Sequence, residues 1–199
     1  MSLPPEEPSA RLSACPSPPN EFSAEERALL LKLAHDAIGS RLEGREILLE
    51  APSPHLAEPH GAFTTLYHRG QLRGCVGYVA PVVSLYRTVI ETARGAAFED
   101  SRFLPVKHAE APELDVSLSI LSPLHPIRPQ EVEVGRHGLL ITFGSYRGLL
   151  LPQVAVEHGW DRVTFLEQTC RKGGLATDAW HRGATIEAFT TETFGDCQS

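Results

Sequence analysis

The sequence has few cysteines and lacks the common cofactor signatures. Its 199 residues include four widely spaced cysteines, Cys15, Cys75, Cys170 and Cys197, with no Cys-x-x-Cys pair. Such sparse cysteine is typical of a reducing compartment rather than of a disulfide-rich secreted protein. Segments of the Gly-x-x-x-x-Gly-Lys-Ser/Thr, Gly-x-Gly-x-x-Gly and Gly-x-Ser-x-Gly types are missing. Nucleoside triphosphates, dinucleotides and α/β-hydrolase chemistry therefore have no support in the sequence.

The chain also lacks a basic stripe and a long apolar run. It has 18 Lys and Arg against 25 Asp and Glu, which gives a formal net charge of −7, and the two signs are interspersed. Nucleic-acid-binding proteins more often show a basic face, so we expect no nucleic-acid partner. No segment approaches the roughly 18 continuous apolar residues of a membrane span, and residues 1–20 lack the apolar core of a signal peptide. We expect a cytoplasmic protein with no membrane association.

The nine histidines do not indicate a metal site. None belongs to a His-Glu-x-x-His pattern, and His55, His60 and His68 are spread over a proline-rich loop and a turn. We therefore predict neither a metal site nor a bound cofactor.

The order of secondary structure elements predicts one folded region after a proline-rich tail. Residues 1–20 contain too few apolar residues to build a core and are predicted to be disordered. The segment Ser23-Ala24-Glu25-Glu26 is a capping-box pattern that starts a helix ending near residues 42–44. Two hairpins are predicted, with strands 63–67 and 72–79 around residues 68–71, and strands 138–143 and 148–151 around residues 144–147. The other predicted elements are a helix starting at Pro81, a strand over 114–120, a helix from Asp161 to Lys172 closed by Gly173, and a last strand around Ile186.

Hairpins interleaved with helices, without a regular strand-helix repeat, predict the fold class. We expect an α+β fold with a mainly antiparallel sheet and flanking helices.

The most informative segment is Leu72-Arg73-Gly74-Cys75-Val76-Gly77, which places a thiol and a guanidinium among glycines in a predicted strand. Glycines inside a strand usually mark a bulge or a close backbone approach. Arg73 is positioned to favour the thiolate of Cys75 and make it a nucleophile, with Gly74 and Gly77 leaving room for a ligand. The alternative is that Cys75 is a small buried apolar residue and the glycines make room for a neighbouring element.

A second candidate cluster combines carboxylates with a guanidinium. Asp100 and Arg102 follow the predicted second helix and are suited either to clamp a substrate or to pair with Arg73 and Glu113, because Arg recognises carboxylate or phosphate in a bidentate way. The alternative is a structural ion-pair network that pins a loop. Gln153 is a further binding candidate, because its amide can project into a cleft, and it is equally suited to cap the next turn.

An ordered set of motifs resembles one protein family. The motifs are Gly61-Ala62-Phe63-Thr64-Thr65-Leu66, the segment around Cys75, Asp100-Ser101-Arg102-Phe103-Leu104-Pro105-Val106, Val134-Gly135-Arg136-His137-Gly138-Leu139, Arg147-Gly148-Leu149-Leu150-Leu151-Pro152-Gln153-Val154-Ala155 and Trp160-Asp161. Together they resemble the AMMECR-domain family, also called AmmeMemoRadiSam system protein A, over about residues 22–194. One motif departs from the family: this chain has Lys172-Gly173-Gly174-Leu175 where relatives usually have Lys-Ala-Gly-Leu.

The resemblance implies a domain organisation and partners. It implies one AMMECR-type domain, here residues 21–197, with a larger and a smaller subdomain whose boundary the spacing does not locate. It also implies a system that includes a Memo-type protein and a radical S-adenosylmethionine protein. The chain has no three-cysteine cluster of the kind a radical enzyme needs, so any such iron–sulfur chemistry belongs to the partner.

Three functions remain open at this point. The first is an accessory or substrate-binding component of that system. The second is a cysteine-dependent enzyme in which Cys75 is the nucleophile, Arg73 its activating charge, and Asp100 or His137 the group that transfers a proton. The third is a protein-interaction module, which requires a shallow pocket and a buried Cys75. The surroundings of the Cys75 sulfur discriminate among them.

Overall fold

The computed structural model describes residues 21–47, 53–80 and 82–196, which form two four-stranded sheets and four α-helices. All pairings between neighbouring strands are antiparallel, so the predicted α+β fold class is confirmed. The predicted tail, residues 1–20, lies outside the described residues, as do Cys15 and Cys197.

The first sheet has the strand order β2-β1-β3-β8, and two helices pack on one of its faces. With strands and helices numbered along the chain, its elements are β1 (Gly61–His68), β2 (Gln71–Tyr78), β3 (Leu114–Leu121), β8 (Thr191–Gly195), α1 (Ala24–Leu42) and α2 (Leu85–Phe98). The second sheet has the order β4-β7-β5-β6. Its elements are β4 (His125–Pro126), β5 (Gly138–Phe143), β6 (Tyr146–Leu150), β7 (Thr185–Phe189), α3 (Pro152–Glu157) and α4 (Arg162–Lys172).

Each sheet has its own hydrophobic core. In the first, side chains of β1 and β3 alternate, so that Leu66 and Leu118 are fully buried on the helix side while Thr65 and Ser117 lie half-buried on the opposite face. A polar residue in the buried row, Thr64, has its Oγ1 2.8 Å from that of Thr92 in α2, which satisfies both hydroxyls. The second core packs side chains of β5 and β7 against α4, including Leu139, Ile141, Phe165, Leu166 and Ala188.

Helix α1 begins and ends on sequence signals. The predicted capping box is present: Ser23 Oγ accepts from the Glu26 N–H at 3.2 Å, and Glu26 Oε2 accepts from the Ser23 N–H at 3.1 Å. At the other end Gly44 has a φ of 66°, and the Arg45 N–H donates to the Ser40 carbonyl at 2.8 Å. This Schellman-type ending turns the chain so that Arg45 lies beside the last turn of the helix.

Helix α2 begins later than the sequence predicts. Its first residue is Leu85, whereas the predicted start, Pro81, lies outside the described residues. Ser84 is extended and bridges to Pro59, and the Leu85 N–H donates to the Glu58 carbonyl at 2.8 Å, so the backbone is still paired with the preceding loop up to Ser84. The side of α2 that faces the first core is formed by Leu85, Val89, Ala93, Ala96 and Ala97, all of which are buried.

The first hairpin contains an irregularity that decides which side chains face which way. Its two-residue turn, Arg69 at φ 52° and Gly70 at φ 75°, is of the kind that matches strand twist. Tyr67 pairs with Leu72 but Leu66 pairs with Gly74, so Arg73 is the extra residue of a β-bulge. A bulge shifts the register by one residue, which places Gly74 on the helix side of the sheet.

The turn of the second hairpin is two residues shorter than predicted. β6 begins at Tyr146 instead of residue 148, and Gly144, with a φ of 61°, and Ser145 form the turn. The shorter loop follows from the left-handed conformation at Gly144, which lets two residues reverse the chain. The remaining predicted helix is correct, because Asp161 caps α4 and Gly173 follows its last residue.

Within the described segments, no helix is long and apolar enough to cross a membrane. Over the same residues, His, Cys, Asp and Glu side chains form no group of three or more suited to hold a metal ion.

Candidate functional site

The glycines beside Cys75 allow close packing. A Cβ on Gly74 would lie 2.0 Å from the carbonyl oxygen of Ala96 in α2, so the helix backbone lies directly against the strand. On the other face, a Cβ on Gly77 would lie 2.1 Å from a ring carbon of Phe63. Both glycines therefore make room for neighbouring protein groups, which favours the structural explanation of this glycine pair.

Cys75 lies on the sheet face that α1 and α2 leave uncovered. Its side chain is partly exposed, and the Thr65 hydroxyl is 3.4 Å from Sγ. Thr65 pairs with Cys75 on one side and with Ser117 on the other, so the three small polar side chains form a row across β2, β1 and β3. Phe63 and Ser119 form the next row. We call these five residues the polar sheet face.

Asp100 and Arg102 do meet Cys75, but through its backbone. The Cys75 N–H donates to Asp100 Oδ2 at 2.9 Å, and Arg102 Nη2 donates to the Cys75 carbonyl at 3.4 Å. Arg102 also binds Asp100 through Nε at 2.9 Å and Nη2 at 2.7 Å. β2 is a border strand of the sheet, so this ion pair engages a peptide group that would otherwise lack a partner strand.

The same bonds set the protonation state of Asp100. Hydrogen bonds from Arg102, and then from the Cys75 N–H, hold the pKa of the Asp100 carboxyl well below its usual range. A carboxylate stabilised in its charged form is a weak base.

Arg73 pairs with a residue that the sequence patterns did not single out. Its Nε lies 3.0 Å from Glu110 Oε1 and its Nη2 lies 3.2 Å from Oε2, a bidentate arrangement. The hydrogen bond from Arg73, followed by one from the Lys107 N–H, lowers the pKa of Glu110 to about 2. The guanidinium is thus matched by a carboxylate other than Asp100 or Glu113, and the activation of Cys75 by Arg73 stays a prediction.

The remaining candidates lie away from this cluster. Glu113 binds Arg69 at 2.7 Å and His68 at 3.3 Å at the tip of the first hairpin. Gln153 is an exposed residue of α3, the helix that contacts β5 of the second sheet. His137 is buried beside the second sheet, where Nδ1 accepts from the Glu133 N–H at 3.1 Å, and burial lowers its pKa.

The sequence patterns missed Glu110 and the row of hydroxyls. Ser117 alternates with the buried Val116 and Leu118 in β3, and this alternation indicates that it lies opposite the core. What that alternation lacked was the register that sets Ser117 next to Thr65 and Thr65 next to Cys75. This row can be predicted only from the pairing of residues on neighbouring strands, and spacing along a single strand does not give that pairing.

Comparison with known proteins identifies the family. The model of the AMMECR1 family matches residues 31–194. The chain belongs to the AMMECR1 family. It is 39% identical over 194 residues to a protein of Thermofilum pendens, covering 87% of this chain and 91% of that protein. A protein of Thermococcus gammatolerans is 42% identical over 180 residues, covering 83% and 87%.

A solved structure shares the fold. The crystal structure of the uncharacterized protein PH0010 from Pyrococcus horikoshii matches with a TM-score of 0.74 and 40% identity, over 85% of this chain and 90% of that one. The resemblance seen in the motifs is thus confirmed over most of the chain.

The segment Lys172-Gly173-Gly174-Leu175 lies where α4 packs against β6. Gly173 follows the end of α4, and a Cβ there would lie 2.4 Å from the Gly148 N of β6. Gly148 is equally confined, with its own Cβ position 1.9 Å from the Thr169 carbonyl oxygen. The two glycines let α4 and β6 pack backbone to backbone.

Proposed function

We propose that this AMMECR1-family protein is an accessory or substrate-binding component that acts with a Memo-type protein and a radical S-adenosylmethionine protein. The observation that carries the proposal is the state of the carboxylate nearest to Cys75. Asp100 already accepts hydrogen bonds from the Cys75 N–H and from Arg102, and its pKa is lowered. General-base catalysis needs a carboxylate with a pKa raised toward the working pH, whereas a binding surface needs polar groups held in place.

The polar sheet face is the surface that we assign to this role. Thr65, Cys75 and Ser117 offer hydrogen-bonding groups next to the ring of Phe63, which is the mixture of polar and aromatic groups that binding sites use. The partners themselves are proposed from family membership, and the face is proposed as the part of the chain that they or their substrate contact.

The test is co-elution of purified proteins. The chain is mixed with the Memo-type and radical S-adenosylmethionine proteins of the same genome under anaerobic conditions and passed through size-exclusion chromatography with light scattering. We expect a complex that Ser117→Arg abolishes, because the long charged side chain blocks the polar sheet face. The matched control is Ser145→Arg in the exposed turn between β5 and β6. Absence of any complex, or equal effects of both variants, would refute the proposal, provided that thermal unfolding shows both variants to be folded.

A cysteine-dependent enzyme is the second candidate, favoured by the partial exposure of Cys75 and the hydroxyl 3.4 Å from its sulfur. If Arg73 favours the thiolate, the rate of alkylation of Cys75 by iodoacetamide titrates below the free-thiol value of about 8.5, and Arg73→Ala moves that titration upward. Cys170 serves as a slow reference, because it is fully buried and burial raises its pKa. An ordinary titration that Arg73→Ala leaves unchanged removes the enzyme hypothesis.

A further inference from the structure

A cleft on the helical side of the first sheet has four arginines in its lining. It lies between the end of α1 and the outer side of α2, has a volume of about 580 Å³, and is on the opposite side of the sheet from Cys75. Its described lining contains Arg41, Arg45, Arg87 and Arg94, together with Glu46 and Glu91. The volume is within the range of small-molecule sites, roughly 300–1,000 Å³.

The arginines converge because two helix features bring them together. Arg87, Glu91 and Arg94 are four and three residues apart in α2, so they share one side of that helix. Arg41 is in the last turn of α1, and the turn at Gly44 returns Arg45 to the same end. The cleft is therefore built from both helices and from the chain reversal after α1.

Part of this arrangement is held rigidly. Arg94 is partly buried, and it donates through Nε to the Ala37 carbonyl at 3.3 Å and through Nη2 to Ser40 Oγ at 3.2 Å. Arg87 donates through Nε to the Tyr86 hydroxyl at 3.2 Å. A guanidinium fixed by some of its donors can present the others to a ligand with little loss of side-chain entropy.

The charge in the cleft exceeds what the fold needs. The described lining contains four arginines and two glutamates, and Arg45 also forms a salt bridge with Glu43. One positive charge is therefore left in excess, in a protein whose net charge is −7. The end of a helix carries only about half a negative charge, and Arg94 donates to the Ala37 carbonyl within α1. Arg41 and Arg87 form no salt bridge with any residue that the structure describes, so their guanidinium groups favour an anion.

An apolar cleft lies next to the basic one. Its volume is about 410 Å³; it shares Glu91 with the basic cleft, and Val79, Val82 and Val83 contribute to its lining. Val82 is 82% exposed, so its side chain is accessible to a ligand. The two adjacent clefts fit a molecule with an anionic group at one end and an apolar group at the other.

We propose that the α1–α2 cleft binds a small phosphate ester, with its phosphate among the arginines and its apolar group against Val82. Phosphate suits this cleft because its several charged oxygens can accept from more than one guanidinium at once. A small molecule suits it better than nucleic acid or an anionic membrane, because the net charge of −7 repels an extended polyanion. This site does not depend on the function proposed for the polar sheet face.

Calorimetric titration with phenyl phosphate at constant ionic strength tests the proposal. We expect saturable binding that is tighter than that of inorganic phosphate and of phenylacetate. The double variant Arg41→Gln/Arg87→Gln should weaken binding by about tenfold or more, the effect of losing one charge-assisted hydrogen bond. The control is Arg147→Gln, an exposed arginine of β6, which is compared with the single variants Arg41→Gln and Arg87→Gln because each of the three removes one positive charge. Val82→Ser should weaken phenyl phosphate binding while leaving the binding of inorganic phosphate unchanged, because it removes apolar surface without changing the charge.

Three results would overturn the proposal. They are absence of saturable phenyl phosphate binding at millimolar concentration, equal weakening by Arg147→Gln, and phenylacetate binding as tight as that of phenyl phosphate. Arg41 and Arg87 are exposed, so their replacement should leave thermal unfolding unchanged and a loss of binding can be assigned to the cleft.

Discussion

Replacing Gly74 by valine tests the packing of α2 on β2. The new Cβ would lie 2.0 Å from the Ala96 carbonyl oxygen and 2.9 Å from the Ala96 carbonyl carbon. Ordinary carbon–oxygen contacts are about 3.3 Å or longer, so the helix or the strand must move by about 1 Å. The obstacle is backbone within α2, which cannot turn aside as a flexible side chain would.

The expected cost follows from this displacement. Forcing extra carbon atoms into a packed site costs about 1–3 kcal/mol, and valine adds two methyl groups beyond the Cβ. We expect Gly74→Val to lower the free energy of unfolding by about 2 kcal/mol or more. For a domain of this size, that corresponds to a fall in melting temperature of about 4–8 °C.

The assay is urea unfolding followed by circular dichroism, with the slope m checked for constancy. The control is Gly39→Ala in α1, where a Cβ meets nothing within 4 Å. This substitution should raise the free energy of unfolding by about 0.5–1 kcal/mol, because alanine favours a helix. Equal urea midpoints for Gly74→Val and the parent would refute the account of close helix–strand packing.

Further predictions concern an ion pair, the second sheet and the tail. The pKa of Asp100 is lowered in the folded state, so its contribution to stability is present above about pH 4 and is lost as the pH falls toward the folded-state pKa. Asp100→Asn should therefore be less stable than the parent at pH 7 and should lose less stability on acidification. Urea midpoints measured across pH check this. Gly173→Ala should lower the melting temperature, since its Cβ would lie 2.4 Å from the Gly148 N and overpacking costs about 1–3 kcal/mol; an unchanged melting curve would contradict this. Removing residues 1–20 should change the melting temperature by less than about 5 °C, and a larger fall would show that the tail packs on the domain.

Local signals predicted the helix starts that depend on one side chain. Ser23 and Asp161 cap α1 and α4 as expected, because capping joins residues three apart and needs no information from the rest of the fold. The predicted start of α2 was wrong because the backbone of Ser84 forms a β-bridge with Pro59, which lies 25 residues earlier in the chain.

The register of the first hairpin could not be predicted from the sequence, and it determines which side chains meet at the candidate site. The turn pairs His68 with Gln71, and an uninterrupted ladder from there would place Thr64 opposite Cys75. The bulge at Arg73 instead places Thr65 there, so Cys75 lies on the face opposite the core while Thr64 stays in the buried row of β1. A bulge depends on how strand and helix backbones fit together, and the glycines in the segment indicated an irregularity without giving its direction.

The partner of Arg73 was unpredictable for a similar reason. Glu110 lies 37 residues along the chain from Arg73, in a loop without a periodic pattern. The motif containing Asp100 did indicate proximity to Cys75, but contact with the backbone of Cys75 rather than with its thiol depends on β2 being a border strand.

The ion pair of Asp100 and Arg102 limits self-association of the protein through β2. A border strand with open amide and carbonyl groups is a template on which a second chain can add a strand. At Cys75 both groups are already engaged, so self-association along β2 must first break a salt bridge whose carboxylate stays charged down to strongly acidic pH. A defect at Asp100 would therefore appear as concentration-dependent aggregation, in solutions where the isolated domain still looks folded.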